Sequence, residues 1–174
     1  FSPNTGCDAQ VKVYDKDPTK AIHSIDEVVN DSDFLFLSVP TPSNPDGSIN
    51  LDIVDSVLAD INEIQKTKPI VLLRSTMVPG SSRKFQKKYS KLNIVFNPEF
   101  LTERSANFDF INQSRFILGG DKKNVKKCSE LFRWRFGSTI PIIETDYETA
   151  ELIKYMNNCF LAAKVSFKIG RAHV

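Results

Sequence analysis

Residues 34–50 read FLFLSVPTPSNPDGSIN. Four consecutive apolar residues, Phe34 to Leu37, open the stretch. Such a run predicts a strand over Phe34 to Val39 that is covered on both faces, as strands of parallel sheets are. Prolines at 40, 42 and 45 then forbid helix and hold the backbone extended, so Thr41 presents its hydroxyl just past the strand's carboxyl end. Helical period follows: Ile53, Val54, Val57, Leu58, Ile61 and Ile64 recur at three- and four-residue steps and define one apolar face. Asn50 or Ser48 is placed to cap that helix.

The alternation extends in both directions. Further strands are expected at Val11 to Tyr14, Ile70 to Arg74, Asn93 to Phe96, Arg115 to Leu118 and Ile140 to Ile143. Helices are expected at Ser82 to Lys91, at Asn124 to Phe136 with Val125, Cys128, Leu131 and Phe132 inward, and at Glu148 to Phe167. The last carries Ala150, Ile153, Met156, Cys159, Phe160 and Ala163 at apolar positions, and its length suggests a helix that leaves the sheet to begin another layer. Short apolar runs alternating with helical stretches predict an α/β fold of Rossmann type, with a doubly wound parallel sheet.

Composition narrows the function classes. Across 174 residues, 23 basic side chains face 21 acidic ones, a net charge of +2 that gives no footprint for nucleic acid. At 41% hydrophobic and 25% charged, the chain is neither a disordered tail nor a fibrous repeat. Its apolar runs are too short to cross a bilayer, no signal-peptide pattern opens it, and no membrane partner is expected. Cys7, Cys128 and Cys159 are odd in number and widely spaced. That argues against a disulfide framework or a metal site, and for a reducing, cytoplasmic setting.

Ligands of open α/β sheets sit outside the carboxyl ends of the strands, so the residues there are informative. Asp15, after the first expected strand, stands where dinucleotide-binding folds place the carboxylate that accepts from the adenosine ribose, favouring NAD over NADP; the alternative is a solvated Asp opening a turn. The phosphate-binding glycines belong about 20 residues before that acid, yet only Gly6 precedes it here. The first strand and its glycine-rich loop are therefore expected upstream of Phe1. Ser75 and Thr76 sit at a strand tip before Pro79, either facing the crevice or capping the next helix. Glu99 and Glu103, four apart, form a candidate acid pair or simply favourable helix-start charges. Lys154 and Asn158 lie one turn apart on one helix side. There the lysine is either aimed at developing negative charge or snorkels from an ordinary amphipathic helix. Arg83, Lys84, Lys87, Lys88 and Lys91 read as a solvated face, and Trp134 as core or interface.

In order, the strings VYDKDP, SVPTP, STMVPG, NPEFLTE, RFILGG and ETAELIKYMNNCFLAAKVSF resemble the UDP-glucose/GDP-mannose dehydrogenase family of nucleotide-sugar dehydrogenases, from about Val11 to Phe167. The resemblance implies NAD-dependent oxidation of a sugar C6 alcohol to the carboxylate, with UDP-glucose to UDP-glucuronate as the default and a UDP-sugar or GDP-sugar as substrate, in polysaccharide biosynthesis. It implies Asp15, Thr41, Thr76 and Glu103 as cofactor contacts, and Glu99, Phe100, Leu101, Lys154 and Asn158 as substrate contacts. Thr76, Glu103, Lys154 and Asn158 would be catalytic, with Thr76 holding water, Glu103 activating it, and Lys154 and Asn158 stabilising oxyanionic species. The second oxidation needs a covalent thiol adduct. The family supplies that thiol from a glycine-rich motif downstream of the last helix, which this chain lacks; Cys128 and Cys159 are expected to be core residues.

Two departures stand out. Arg104 follows Glu103 where many relatives have glycine. The end reads KIGRAHV, and Ile169 to Val174 is what the adapter-like string ATCGGAAGAGCACACGTC encodes, so residues 168–174 are expected to be read-through. The expected organisation is then an incomplete NAD-binding domain over 1–146, the start of a central helical, homodimer-forming region over 147–167, and a non-native tail over 168–174. A fragment so cut is expected to be inactive. The competing readings are a β-hydroxyacid dehydrogenase, which shares a Rossmann domain, long helix and lysine, and a non-catalytic nucleotide-binding module.

Overall fold

The computed structural model describes residues 9–101 and 104–171. In chain order they form α1 (Ile25–Asn30), β1 (Phe34–Leu37), α2 (Asp52–Ile64), β2 (Ile70–Leu73), α3 (Ser81–Lys88), β3 (Asn93–Phe96), α4 (Ala106–Ile111), β4 (Phe116–Gly120), α5 (Lys122–Phe136), β5 (Ile142–Thr145) and α6 (Tyr147–Arg171). The strands make one sheet in sequential order, β1-β2-β3-β4-β5. Pairs β1–β2, β2–β3 and β4–β5 are parallel, with Phe34 opposite Ile70 and Ile70 opposite Asn93. β3 and β4 are antiparallel, Phe96 facing Gly119.

Alternating side chains feed two apolar layers, one on each face, as the period of two requires. Val71, Leu73, Ile94, Phe96 and Ile117 pack with Val54, Leu58 and Ile61 of α2, Phe85 of α3, and Tyr147 and Ala150 of α6. On the other face, Ile70, Leu72, Val95, Phe116 and Leu118 pack with Val125, Cys128 and Phe132 of α5. The Phe116 and Phe132 rings stack there at 4.2 Å. Burying each such ring contributes about 1.5–3 kcal/mol. Helices on both faces of a mainly parallel sheet give the expected α/β architecture. Among the described residues no helix is long and apolar enough to cross a membrane.

Several expectations are corrected. Val11 to Tyr14 is not a strand. Val13 instead bonds to residues 22–23: its N–H donates to Nδ1 of His23 at 3.1 Å, and its carbonyl accepts from the Ile22 and His23 amides. A groove of about 830 Å³, lined by Ala9 to Tyr14 on one side and by β1 on the other, separates this segment from the sheet. β1 is accordingly the edge of the described sheet and is covered unevenly: Leu35 is buried on one face, while on the other Phe34 is half-buried and Phe36 is exposed although its ring meets Phe132 edge-on. Trp134 is exposed beside the same groove and is not a core residue. Cys128 is buried as expected, whereas Cys159 is exposed, because α6 has passed the end of the sheet by that point. Met156 and Phe160 are exposed for the same reason. The α2 N-cap position is Leu51, without a side-chain cap, although Asn50 accepts from the Asp52 amide at 2.8 Å. Of the basic set, Arg83 pairs with Glu148 and Lys88 with Asp55, so two members tie helices together. Gly6, Cys7 and residues 172–174 lie outside the described residues; α6 runs on through Arg171.

The antiparallel β4 has a long-range consequence. Because β4 and β5 run against β1–β3, β5 ends at the edge where β1–β3 begin, and α6 starts there. The Tyr147 hydroxyl donates to the Ile94 carbonyl near the start of β3 at 2.8 Å. The helix then climbs along the sheet toward the carboxyl ends of β1–β3. Gly119 makes that path possible: a Cβ on it would lie 2.5 Å from the Ala150 Cβ and 2.7 Å from the Asp146 carbonyl oxygen. Gly119→Ala is therefore expected to destabilise the fold by about 1–3 kcal/mol through overpacking. Urea unfolding checks this, and a midpoint equal to the parent's would contradict it.

Candidate functional site

Three loops meet at the carboxyl edge of β1–β3, and short hydrogen bonds join them. After β1, Val39 is held by Ser75: the Ser75 hydroxyl donates to the Val39 carbonyl at 2.6 Å and accepts from the Val39 amide at 3.2 Å. Thr41 donates its hydroxyl to the Thr76 carbonyl at 3.1 Å. Neither Ser75 nor Thr76 caps α3; its N-cap is Gly80, at φ +93°, a left-handed conformation that suits glycine. The hydroxyls of Ser75 and Thr41 thus stitch the first loop to the second.

The second loop is joined to the third by a buried arginine. Arg74, 5% exposed, donates Nη1 to Oδ1 of Asn97 at 2.7 Å and holds Nη2 3.5 Å from the Glu99 carboxylate. Its guanidinium lies 5.4 Å from the centroid of the Phe110 ring, a cation–π arrangement. Asn97 passes the linkage on, donating Nδ2 to the Ile117 carbonyl at 3.0 Å. Burial pulls the Arg74 guanidinium below its ordinary pKa, and Glu99 opposes that shift.

Lys154 enters from α6. It is buried, its ammonium donates to the Glu99 carbonyl, and it stands 5.2 Å from the Phe100 ring centroid. Arg115, just before β4, reaches the same ring at 5.9 Å. Phe100 therefore lies within cation–π reach of two cations. The arrangement is not snorkelling, since the ammonium points into the protein. Asn158, one turn on, is exposed. Phe100 and Leu101 are half-buried beside Glu99. Asp15 is exposed, and its Oδ1 accepts from the Asp17 amide at 2.8 Å, which makes it a turn-opening residue in this structure. The structure thus brings Thr41, Thr76, Glu99, Phe100 and Lys154 to one edge. Glu103 lies outside the described residues.

Sequence reasoning missed Arg74, Asn97 and Glu151. Glu151 is fully buried one turn before Lys154 and accepts from the amides of Gly80 at 2.5 Å and Ser82 at 2.7 Å. A signal existed for two of them. Arg74 ends an otherwise apolar run, and Glu151 sits between Ala150 and Leu152 in an apolar stretch; buried charges need partners.

A lysine, an arginine and a carboxylate converging at the strand ends suit recognition of an anionic, hydroxyl-rich ligand. Burial lowers the Lys154 pKa from the ordinary lysine value; Glu99 opposes this and Arg74 adds to it. With the folded-state pKa below the unfolded one, this group makes stability rise as pH climbs through the interval between them. Lys154, followed by its ¹³Cε resonance, is expected to titrate below about 10.4, and Glu99→Gln to lower it further. A midpoint at the ordinary value, or one unmoved by Glu99→Gln, would contradict the placement.

Comparison with known proteins identifies the family. The UDP-glucose/GDP-mannose dehydrogenase family, NAD binding domain, matches residues 7–135. The UDP-glucose 6-dehydrogenase AglM of Haloferax volcanii is 33% identical over 181 residues, covering 94% of this chain and 42% of its own length. The GDP-mannose dehydrogenase of Pseudomonas aeruginosa superposes with a TM-score of 0.71 at 31% identity, over 82% of this chain and 35% of that one. A UDP-glucose dehydrogenase from Pyrobaculum islandicum gives 0.72 at 30% identity, over 85% and 36%. The chain thus spans well under half the length of these relatives. The match of the NAD binding domain over residues 7–135 places the chain in the UDP-glucose/GDP-mannose dehydrogenase family.

Proposed function

We propose that this chain is the NAD-binding part of a nucleotide-sugar 6-dehydrogenase, which oxidises the C6 alcohol of a UDP- or GDP-hexose to the carboxylate, with UDP-glucose the leading substrate. The observation that carries the reading is the convergence of Lys154, Glu99 and Thr76 at the carboxyl edge of β1–β3, with Arg74 fixing Glu99 from below. NAD⁺, when bound, would supply the hydride acceptor, with Asp15 placed to hold its ribose. Lys154 meets the sugar oxygen and stabilises its developing negative charge. Thr76 positions water near the reacting carbon, Glu99 with Phe100 and Leu101 lines the sugar nucleotide, and Asn158 contacts the substrate from the next helical turn. Glu103 is assigned to water activation.

The residues present fit the cofactor in part. Asp15 supplies an exposed carboxylate acceptor of the kind a ribose hydroxyl needs. The Gly119–Gly120 pair at the end of β4 is no pyrophosphate cradle, since Ala150 and Tyr147 already fill the space above it. The free edge of β1, with its groove, supports the reading that a further parallel strand and its glycine-rich loop complete the nucleotide site.

The chain alone is assigned no turnover. Burial pushes the Cys128 thiol up to about 12, so it is no nucleophile at neutral pH, and the thiol for the second oxidation is assigned to a segment beyond this chain. A homodimer through the exposed apolar side of α6, Leu152, Met156 and Phe160 among its members, is part of the same reading. Two measurements test it. A full-length dehydrogenase carrying this chain is expected to form two NADH per UDP-glucose, with Lys154→Ala lowering kcat at least about 100-fold; unchanged oxidation in that variant would overturn the role of Lys154. The 174-residue chain given NAD⁺ and UDP-glucose is expected to show no rise in absorbance at 340 nm, and sustained NADH formation would overturn the assignment of inactivity.

A further inference from the structure

Glu151 takes no part in the chemistry above, yet its carboxylate is fully buried and aimed at the start of another helix. Gly80 and Ser82 both donate backbone N–H groups to it, at 2.5 and 2.7 Å. The α3 N-cap is a glycine without a side-chain cap, so Glu151 does from α6 what a local Ser or Asp does in most helices. A carboxylate there also meets the positive end of the α3 dipole. The capped segment begins four residues after Thr76, and Glu151 lies three residues before Lys154, on the same side of α6.

We propose that Glu151 is a positioning residue that sets the separation between the Thr76 loop and Lys154. The rigid first turns of α6 carry Lys154 to Glu99 and Phe100, and the carboxylate fixes the height of those turns against α3. The side chain's length matters as much as its charge, because both amides are reached by one carboxylate. Glu148 and its partner Arg83 stand one turn earlier as an outer, exposed link between the same two helices. They leave the inner geometry to Glu151.

The inference rests on the reading of Lys154 as the sugar-facing group, but its test needs no turnover and so fails independently of that reading. In the 174-residue chain, Glu151→Asp keeps the charge and shortens the arm by one methylene. The amide protons of Gly80 and Ser82 are expected to move upfield as their hydrogen bonds lengthen. The nuclear Overhauser effect between the Lys154 Hε and Phe100 ring protons is expected to weaken at least about two-fold, while β2 and β3 amides keep their shifts. Should Gly80 and Ser82 move with the Lys154–Phe100 effect intact, Glu151 caps α3 without placing Lys154, and the proposal is overturned. It is equally overturned if neither set moves. Should the variant not fold, acid titration of the parent chain decides: protonation of Glu151 must shift the Gly80, Ser82 and Lys154 signals with one midpoint, and separate midpoints overturn the proposal.

Discussion

The reversal of β4 against β3 is the constraint from which the site follows. A fully parallel continuation would end β5 at the carboxyl edge, and a helix leaving it would run down and away from the loops that hold Thr41, Thr76 and Glu99. With β4 and β5 turned over, α6 starts at the opposite edge and rises along the sheet, reaching the Glu99 carbonyl within about two turns. Tyr147, Ala150, Glu151 and Lys154 follow the three- and four-residue steps of one helix side, and each meets a different part of the domain. Tyr147 meets β3, Ala150 meets β4, Glu151 meets α3, and Lys154 meets the loop after β3.

The polar groups at that edge are stabilised by pairing and not by solvent. Arg74, buried between β2 and β3, is satisfied by Asn97, Glu99 and the Phe110 ring, so desolvation is offset by partners that also define the loop geometry. Removing one partner would strand a buried charge, which is why such a network fixes one arrangement of the loops. The paired groups give the edge a rigid floor, as positioning of a reacting group requires.

Much of the fold was legible in the sequence, since Phe34 to Leu37, Ile70 to Leu73 and Asn93 to Phe96 are apolar runs bounded by polar turns. Strand direction was not: periodicity says which face a residue takes, and nothing about whether β4 runs with β3 or against it. The helix at Ile25–Asn30 went unread although Ser24 and Glu27 form a capping box ahead of it. The segment Val11 to Tyr14 has the residues of a strand, but pairing needs a neighbour within hydrogen-bonding distance, and a groove intervenes. Lys154 was legible from helical spacing, whereas its burial depended on α6 approaching Gly119 closely, a tertiary fact. The exposure of Cys159 follows from the same path, because the helix outruns the sheet.

Delivery of Lys154 to the strand ends requires α6 to be fixed at its start and free of the sheet beyond. Amide hydrogen exchange along this helix measures that directly. Amides of Ile153 and Lys154, in the docked turns, are expected to exchange only through global unfolding, while those from Asn158 to Phe167 exchange through local opening and at least about ten-fold faster. Uniform protection along α6, or exchange at Lys154 as fast as at Phe160, would contradict the docking that brings the lysine to its site.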